Sequence, residues 1–305
     1  MAGESKKTVL VAVGANATIA VVKGIAGAIS GSSSLLAEAA HSVADTSNQL
    51  MLLVSISLGA RKPDEEHPFG YGKERFFWTL LAAVLIFLAG AVFSIGQGVL
   101  EVIRGGSEND YWLALGTILF AGAAEGASFT RALRQTRGEA RRAQVPLVKY
   151  IRESKDPTVK AVISEDATDL VGLLFALAGI TLAHVTGNTV YDGLGAILVG
   201  ALLVVVAGLL GHDTKGLLIG EAAPRRERER LRKAIERHAE IECVRDLRTM
   251  YIGPDALLVA ARIDLADGID ARRIEALADE IERDLKRAVP TVGEVFLDPT
   301  RATRE

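Results

Sequence analysis

Residues Ser34–Ser55 read SLLAEAAHSVADTSNQLMLLVS. A membrane-spanning helix needs about 20 mostly apolar residues, and this stretch has that length. Yet it carries Glu38, His41, Asp45 and Asn48. From Ser34 onward the polar positions are spaced 4, 3, 4 and 3, which sets them in one stripe on an α-helix. His41 and Asp45, one turn apart, can point at a single atom. Ionisable groups at membrane depth cost at least about 2.5–3.5 kcal/mol each. A stripe of them therefore marks a site.

Working outward, six segments have the length and apolarity of spans: about 8–29, 34–60, 76–103, 111–133, 158–184 and 190–211. Several are rich in Gly, Ala and Ser, which permit close helix packing in lipid. The chain is 49% hydrophobic, as a protein largely immersed in a bilayer requires. Its net charge of −3 over 305 residues argues against nucleic acid as a partner. One cysteine, Cys243, rules out an internal disulfide and a thiolate zinc cluster within one chain.

Positive residues collect in alternate linkers. Arg61, Lys62, Lys73 and Arg75 fill the second, and Arg134, Arg137, Arg141, Arg142, Lys149, Arg152 and Lys155 fill the fourth. Lys6 and Lys7 precede the first span, whereas ISGSSS, RGGSEND and HVTGNT hold few positive charges. By the positive-inside rule both termini are cytoplasmic. The start shows neither a signal-peptide pattern nor a transit-like leader, so a bacterial plasma (inner) membrane is the expected location.

Residues 1–211 thus read as a six-helix transmembrane domain and 212–305 as a cytoplasmic α+β domain. In the tail, residues 225–239 form a charged amphipathic helix. CVRDLRTMYIG and ALLVAARIDLA are strands joined at the turn-forming Pro254-Asp255. Residues 270–288 repeat apolar positions every three or four residues, and EVFLD is a third strand. The order is αββαβ, a compact sheet with helices on one face.

A second polar pair lies in the fifth span, in VISEDATDLVG. Glu165 and Asp169 are four residues apart, with Asp166 beside them as a spare ligand or proton acceptor. Two helices, each offering a pair one turn apart, can surround one ion with four side chains. Imidazole nitrogen and carboxylate oxygen suit zinc and other first-row divalent metals. Metal and protons compete for the same lone pairs, so a departing metal is replaced by protons. That is the basis of metal/proton antiport. The other intramembrane polar residues carry structural expectations. Asn16, Gln97 and Glu125 hydrogen-bond to neighbouring helices, Lys23 snorkels toward an interface, and Glu38 lines an aqueous entrance nearer the outer end.

SLLAEAAHSVADTSNQ, HPFGYGKER and YIRESKDPTVKAVISEDATDLVGL together resemble the cation diffusion facilitator family. The branch is that of bacterial members and the animal zinc transporter 9 type, and the likeness runs from about Thr8 to Pro299. It implies a homodimer with six helices per protomer, a ferredoxin-like tail, and proton-coupled export of zinc or a similar metal. It also implies a transporter rather than an enzyme, with no cofactor beyond the transported ion. Carried onto this sequence, the family's transport site is His41, Asp45, Glu165 and Asp169. Zinc members usually hold histidine where Glu165 stands. A more oxygen-rich site leaves manganese, iron, cobalt or nickel open beside zinc.

The resemblance further implies accessory features. A linker metal site would use Asp64 and His67, but Tyr71 replaces its second histidine. The tail positions that often hold histidine are Arg245, Arg262 and Leu297, so the tail is expected to lack a binuclear metal cluster and to serve dimerisation. His238 is expected on a helix surface. Lys73 is expected to pair with an acid after the sixth span, Glu221 being the nearest, and to interlock the membrane units. The chain has no HExxH motif and no nucleophile with a paired base, which disfavours an intramembrane protease. A four-ligand site binds too tightly for a channel. A membrane scaffold or regulatory protein with a vestigial metal site is the alternative.

Overall fold

The computed structural model describes residues 2–105, 110–142, 146–148, 150 and 157–300. The side chains of residues 2–12, 15, 52, 135, 139 and 157–165 lie outside that description. The chain divides into two units: Met1–Leu53 with Leu81–Gly211, and Val54–Leu80 with His212–Glu305.

The first unit is helical. Its elements are α1 (Ala2–Ser30), α2 (Ser33–Gly59), α3 (Glu74–Arg104), α4 (Tyr111–Arg142), α5 (Pro157–Thr186) and α6 (Val190–Ile219), the ends of three of which pass into the second unit. Among the described residues, four helical stretches are long and apolar enough to cross a membrane: Glu74–Arg104, Tyr111–Arg142, Asp166–Thr186 and Val190–Ile219. The apolar stretch Asn16–Ser30 of α1 is shorter. In α2 the polar stripe itself lowers the mean hydropathy.

Small residues bring these helices together. A Cβ at Gly98 of α3 would collide with the Gly193 carbonyl of α6, and one at Gly200 would lie 3.0 Å from the Ala91 carbonyl. Such close approach of backbones supplies the van der Waals attraction that lipid cannot supplant. Ala44, Ile86, Ala91, Leu203 and Ala207 form an apolar cluster shared by α2, α3 and α6. Next to it α3 passes through a π-helical stretch, Ile86–Val92. Gly90 lies within that stretch, where a Cβ would fall 2.9 Å from Leu203 Cδ1. A larger residue at position 90 would displace the Leu203 side chain.

The second unit contains α7 (Arg225–Ile235), β1 (Ile241–Gly253), β2 (Ala256–Leu265), α8 (Ala271–Ala288) and β3 (Val292–Pro299). This is the αββαβ order read from the sequence. The sheet runs β1-β2-β3, with β1 and β2 antiparallel through the turn at Pro254-Asp255, and β2 and β3 parallel across α8. Leu231 and Ile235 of α7 and Leu277, Ile281 and Leu285 of α8 pack on Leu257, Val259, Ala261 and Ile263 of β2. Asp270 caps α8, its Oδ1 accepting the Arg273 backbone N–H at 2.8 Å. Gly72, in the linker before α3, permits close passage of the chain: a Cβ there would fall 2.5 Å from the Ile252 carbonyl.

Candidate metal centre

The stripe on α2 meets α5. His41 Nε2 lies 3.5 Å from Asp45 Oδ2 on its own helix and 3.1 Å from Asp169 Oδ1 on α5. One ligand atom from each of these three residues falls within 4.8 Å of the others. Among the described residues this is the one group of three or more His, Cys, Asp or Glu with such convergence. His41 is 3% exposed, and the two aspartates are half-buried. A nitrogen and two carboxylates in a largely dry setting are strong ligands for a divalent ion. Glu165 lies on α5 one turn before Asp169, with its side chain outside the described residues. Asp166 takes another direction, its Oδ2 accepting from Ser128 Oγ of α4 at 3.3 Å.

α5 approaches α2 closely because residue 172 is a glycine. A Cβ there would overlap Glu38 Oε1 and lie 3.4 Å from His41 Nδ1. Glu38 itself is fully buried, so it does not line an aqueous entrance. Lys23 corrects the snorkelling expectation: it is 1% exposed. Its ammonium donates to Glu38 Oε2 at 3.0 Å, Ser42 Oγ at 3.0 Å and Glu125 Oε1 at 2.8 Å. All three of its protons are thus used, and α1, α2 and α4 are tied through one charge. As expected, Glu125 bonds to a neighbouring helix; that the donor is a buried lysine was hidden, because Lys23 and Glu125 are 102 residues apart.

At the start of α2 the Asp192 carboxylate, from α6, accepts the backbone N–H groups of Ser33 at 2.8 Å and Ser34 at 3.1 Å and the Ser32 hydroxyl at 3.0 Å. Ser33 Oγ bonds Glu101 of α3. Ser32–Ser34, the end of the stretch ISGSSS that is legible only as a short linker, form the capped start of α2.

The accessory positions stand as follows. Asp64 Oδ1 accepts the His67 backbone N–H at 2.8 Å, and Oδ2 accepts the Tyr71 hydroxyl at 2.6 Å. His67 Nδ1 is 3.7 Å from Asp64 Oδ1. The Tyr71 hydroxyl and then the His67 amide hold the Asp64 carboxyl below its ordinary range, and the same bond raises the Tyr71 phenol. Tyr71 occupies one carboxylate oxygen with a hydrogen bond.

Lys73 sits just before α3, its carbonyl accepting from Phe76 N at 3.0 Å and Phe77 N at 3.1 Å. The Glu221 carbonyl accepts the Tyr251 N–H at 3.2 Å. Among the described residues these two side chains form no ion pair within one protomer.

In the tail, two of the three positions compared with metal-binding histidines are occupied by ion pairs, and the third, Leu297, packs against the apolar core. Arg245 Nη2 lies 2.7 Å from Asp264 Oδ2, and Arg262 Nε lies 3.0 Å from Asp298 Oδ2. His238 departs from the expected exposed helical position. It lies just after α7, its side chain is 12% exposed, and its Nε2 is 3.5 Å from Asp284 Oδ2. The carboxylates of α8 draw the imidazole inward.

Comparison with known proteins agrees with this architecture. Residues 9–219 match the cation efflux transmembrane domain, and residues 223–298 match the cation efflux protein cytoplasmic domain. The chain is 35% identical to metal tolerance protein C4 of Arabidopsis thaliana over 230 residues, 75% of this chain and 50% of that protein. It is 30% identical to the mitochondrial proton-coupled zinc antiporter SLC30A9 of Homo sapiens over 258 residues, 85% of this chain and 45% of that one. The manganese efflux system protein MneP of Bacillus subtilis is 23% identical over 304 residues, 96% of this chain and 95% of its own. The chain therefore spans about half the length of the first two relatives.

Proposed function

This chain belongs to the cation efflux family, the cation diffusion facilitators, a family of integral membrane cation transporters and not enzymes, and from that premise we propose that it exports a divalent transition metal in exchange for protons. The observation that carries the reading is the convergence of His41, Asp45 and Asp169 from two helices within 4.8 Å. Glu165, one turn from Asp169 on the same helix, is the fourth ligand.

Zinc is the first candidate, supported by the imidazole in the set and by the likeness to a proton-coupled zinc antiporter. The carboxylate at Glu165 and the likeness to a manganese efflux protein keep manganese, with iron, cobalt and nickel, among the candidate substrates. Inward proton flow drives the cycle: protons entering the vacated carboxylates and imidazole reset the site. Asp166 is the neighbouring proton acceptor.

The protein works as a homodimer through its cytoplasmic tail, whose described residues gather no metal cluster, with both termini in the cytoplasm of a bacterial cell. Lys73 and Glu221 interlock the protomers. Charge reversal at Lys73, rescued by reversal at Glu221, is the result expected of that pairing. Asp64 and His67 hold the linker turn.

The experiment is metal flux into proteoliposomes under a pH gradient, comparing zinc, manganese, cobalt and iron. Flux abolished by Asp45→Ala, and a shift toward zinc in Glu165→His, are the expected results. A wild-type protein that binds metal but moves none would favour a scaffold with a vestigial site.

A further inference from the structure

Helix α4 has two unlike sides. One packs into the bundle: Ala114, Ile118 and Ala121 are buried there, Glu125 accepts from Lys23 and Ser128 donates to Asp166. The other side bears a groove of about 730 Å³, lined by Gly122, Gly126, Ala127 and Thr130 and ending at Arg131 and Arg134. That size falls within the roughly 300–1,000 Å³ of ligand pockets. A Cβ at Gly126 would meet nothing within 4 Å, so no neighbouring helix covers that position among the described residues. Arg131 and Arg134 are exposed and form no ion pair among the described residues.

The depth of the groove follows from the length of the helix. Tyr111 and Trp112 open α4, aromatic residues of the kind that mark a membrane surface. Arg131 stands about 20 residues further on, the length of one span. Gly122 precedes it by about 14 Å along the axis, close to the roughly 15 Å of one leaflet of hydrocarbon. The apolar part of the groove therefore runs at acyl-chain depth, and the two guanidiniums lie at the headgroups. The arginine-rich end of a span stays cytoplasmic, and the cytoplasmic leaflet is the one that carries anionic lipid.

We propose that this face of α4 binds an anionic phospholipid of the cytoplasmic leaflet: an acyl chain lies in the groove, and the headgroup phosphate accepts hydrogen bonds from Arg131 and Arg134. A guanidinium presents a planar fork of donors that matches phosphate oxygens. Gly122 and Gly126 also have the spacing by which two membrane helices approach closely, but a second copy suits this face poorly. A two-fold axis brings the same patch of both protomers together and would set the arginines of one against those of the other, where like charges repel. Lipid phosphate supplies the complementary charge. The site is separate from the metal centre and does not depend on the transport reading.

The test is native mass spectrometry of the full chain in detergent, titrated with phosphatidylglycerol or with phosphatidylcholine of the same acyl chains. Wild type binds phosphatidylglycerol more tightly. Each arginine removed costs about fivefold, so the double variant Arg131→Gln, Arg134→Gln loses about 25-fold in phosphatidylglycerol affinity and the preference with it. Gly126→Leu places a side chain in open space within the groove, so it folds as wild type does and weakens binding of both lipids. Arg104→Gln, which removes an arginine at the end of α3, leaves both affinities unchanged. Undiminished binding in either the double arginine variant or Gly126→Leu overturns the proposal. A loss in Arg104→Gln equal to that of Arg131→Gln alone overturns it too, by reducing the effect to net charge. A Gly126→Cys protein that forms a disulfide between protomers in phosphatidylglycerol nanodiscs would give the face to a second copy instead of lipid.

Discussion

Asp192 Oδ2 accepts the backbone N–H of Ser33 at 2.8 Å, across 159 residues of sequence. The first amides of α2, which no residue of α2 can satisfy, are thereby closed by the first turn of α6. Because Asp192 and Ser32–Ser34 are all nearly fully buried, water does not substitute. Asp192→Ala is expected to destabilise the protein by roughly 1–3 kcal/mol, seen as a lower thermal-unfolding midpoint in detergent. Asp192→Asn, which keeps an acceptor oxygen, should recover part of that loss. An unchanged midpoint in Asp192→Ala would show that the cap is dispensable.

Two glycines on α3 make a matched pair for testing helix packing. Gly98 meets backbone atoms of α6, with Ile197 N 2.9 Å from a built Cβ, whereas Gly96 has nothing within 4 Å. Backbone atoms cannot rotate aside, so Gly98→Ala should destabilise by about 1–3 kcal/mol. Gly96→Ala should be neutral or slightly stabilising, because alanine restricts the unfolded chain. Similar midpoints for the two variants would remove close packing as the cause.

The ion pairs at Arg245 and Arg262 bear on stoichiometry. With those positions committed to Asp264 and Asp298, the full chain should bind one metal tightly per protomer by calorimetry. Asp45→Ala should abolish that binding. A second tight metal that persists in Asp45→Ala would place a site outside the membrane helices.

Arg273 gives the tail a pH signature. Its guanidinium donates to Glu240 at 2.7 Å and to Glu280 at 2.9 Å and holds both carboxyls below their ordinary value of 4.5. Groups depressed in this way contribute stability above the unfolded-state value and lose it as the pH falls through the folded-state value. Arg273→Met should therefore speed amide exchange in β1 and β2 at neutral pH. Below 4.5 the difference from wild type should close. A difference that persists in acid would assign the effect to packing of the arginine stem.

What the sequence disclosed and what it hid have a common cause. His41 and Asp45 are one helical turn apart, and helical spacing alone predicts their convergence. Leu277, Ile281 and Leu285 of α8 are legible for the same reason, and the three strands of the tail from their apolar runs and the turn at Pro254-Asp255. From local sequence Lys23 reads as reaching for the membrane surface, because its partners Glu38 and Glu125 lie 15 and 102 residues away. No local pattern connects them. The polarity of Glu38 was plain, but its burial depends on Gly172 of another helix. The inward position of His238 is not legible locally, because the carboxylates beside it, Glu280 and Asp284, belong to α8. Spacing brings His41 and Asp45 together on one helix, whereas the partners of Lys23 and His238 come from other elements.

The long reach of Asp192 has a consequence for biosynthesis. Helices enter a membrane in the order in which the ribosome makes them, and domains assemble as their parts emerge. When α2 is inserted, the residue that closes its first turn has not been translated, and three more helices must follow before it arrives. Lys23 and Glu38 likewise wait for Glu125. The nascent chain must shelter these unsatisfied groups until α6 is in place, so α6 is the piece whose arrival converts a string of inserted helices into a finished molecule.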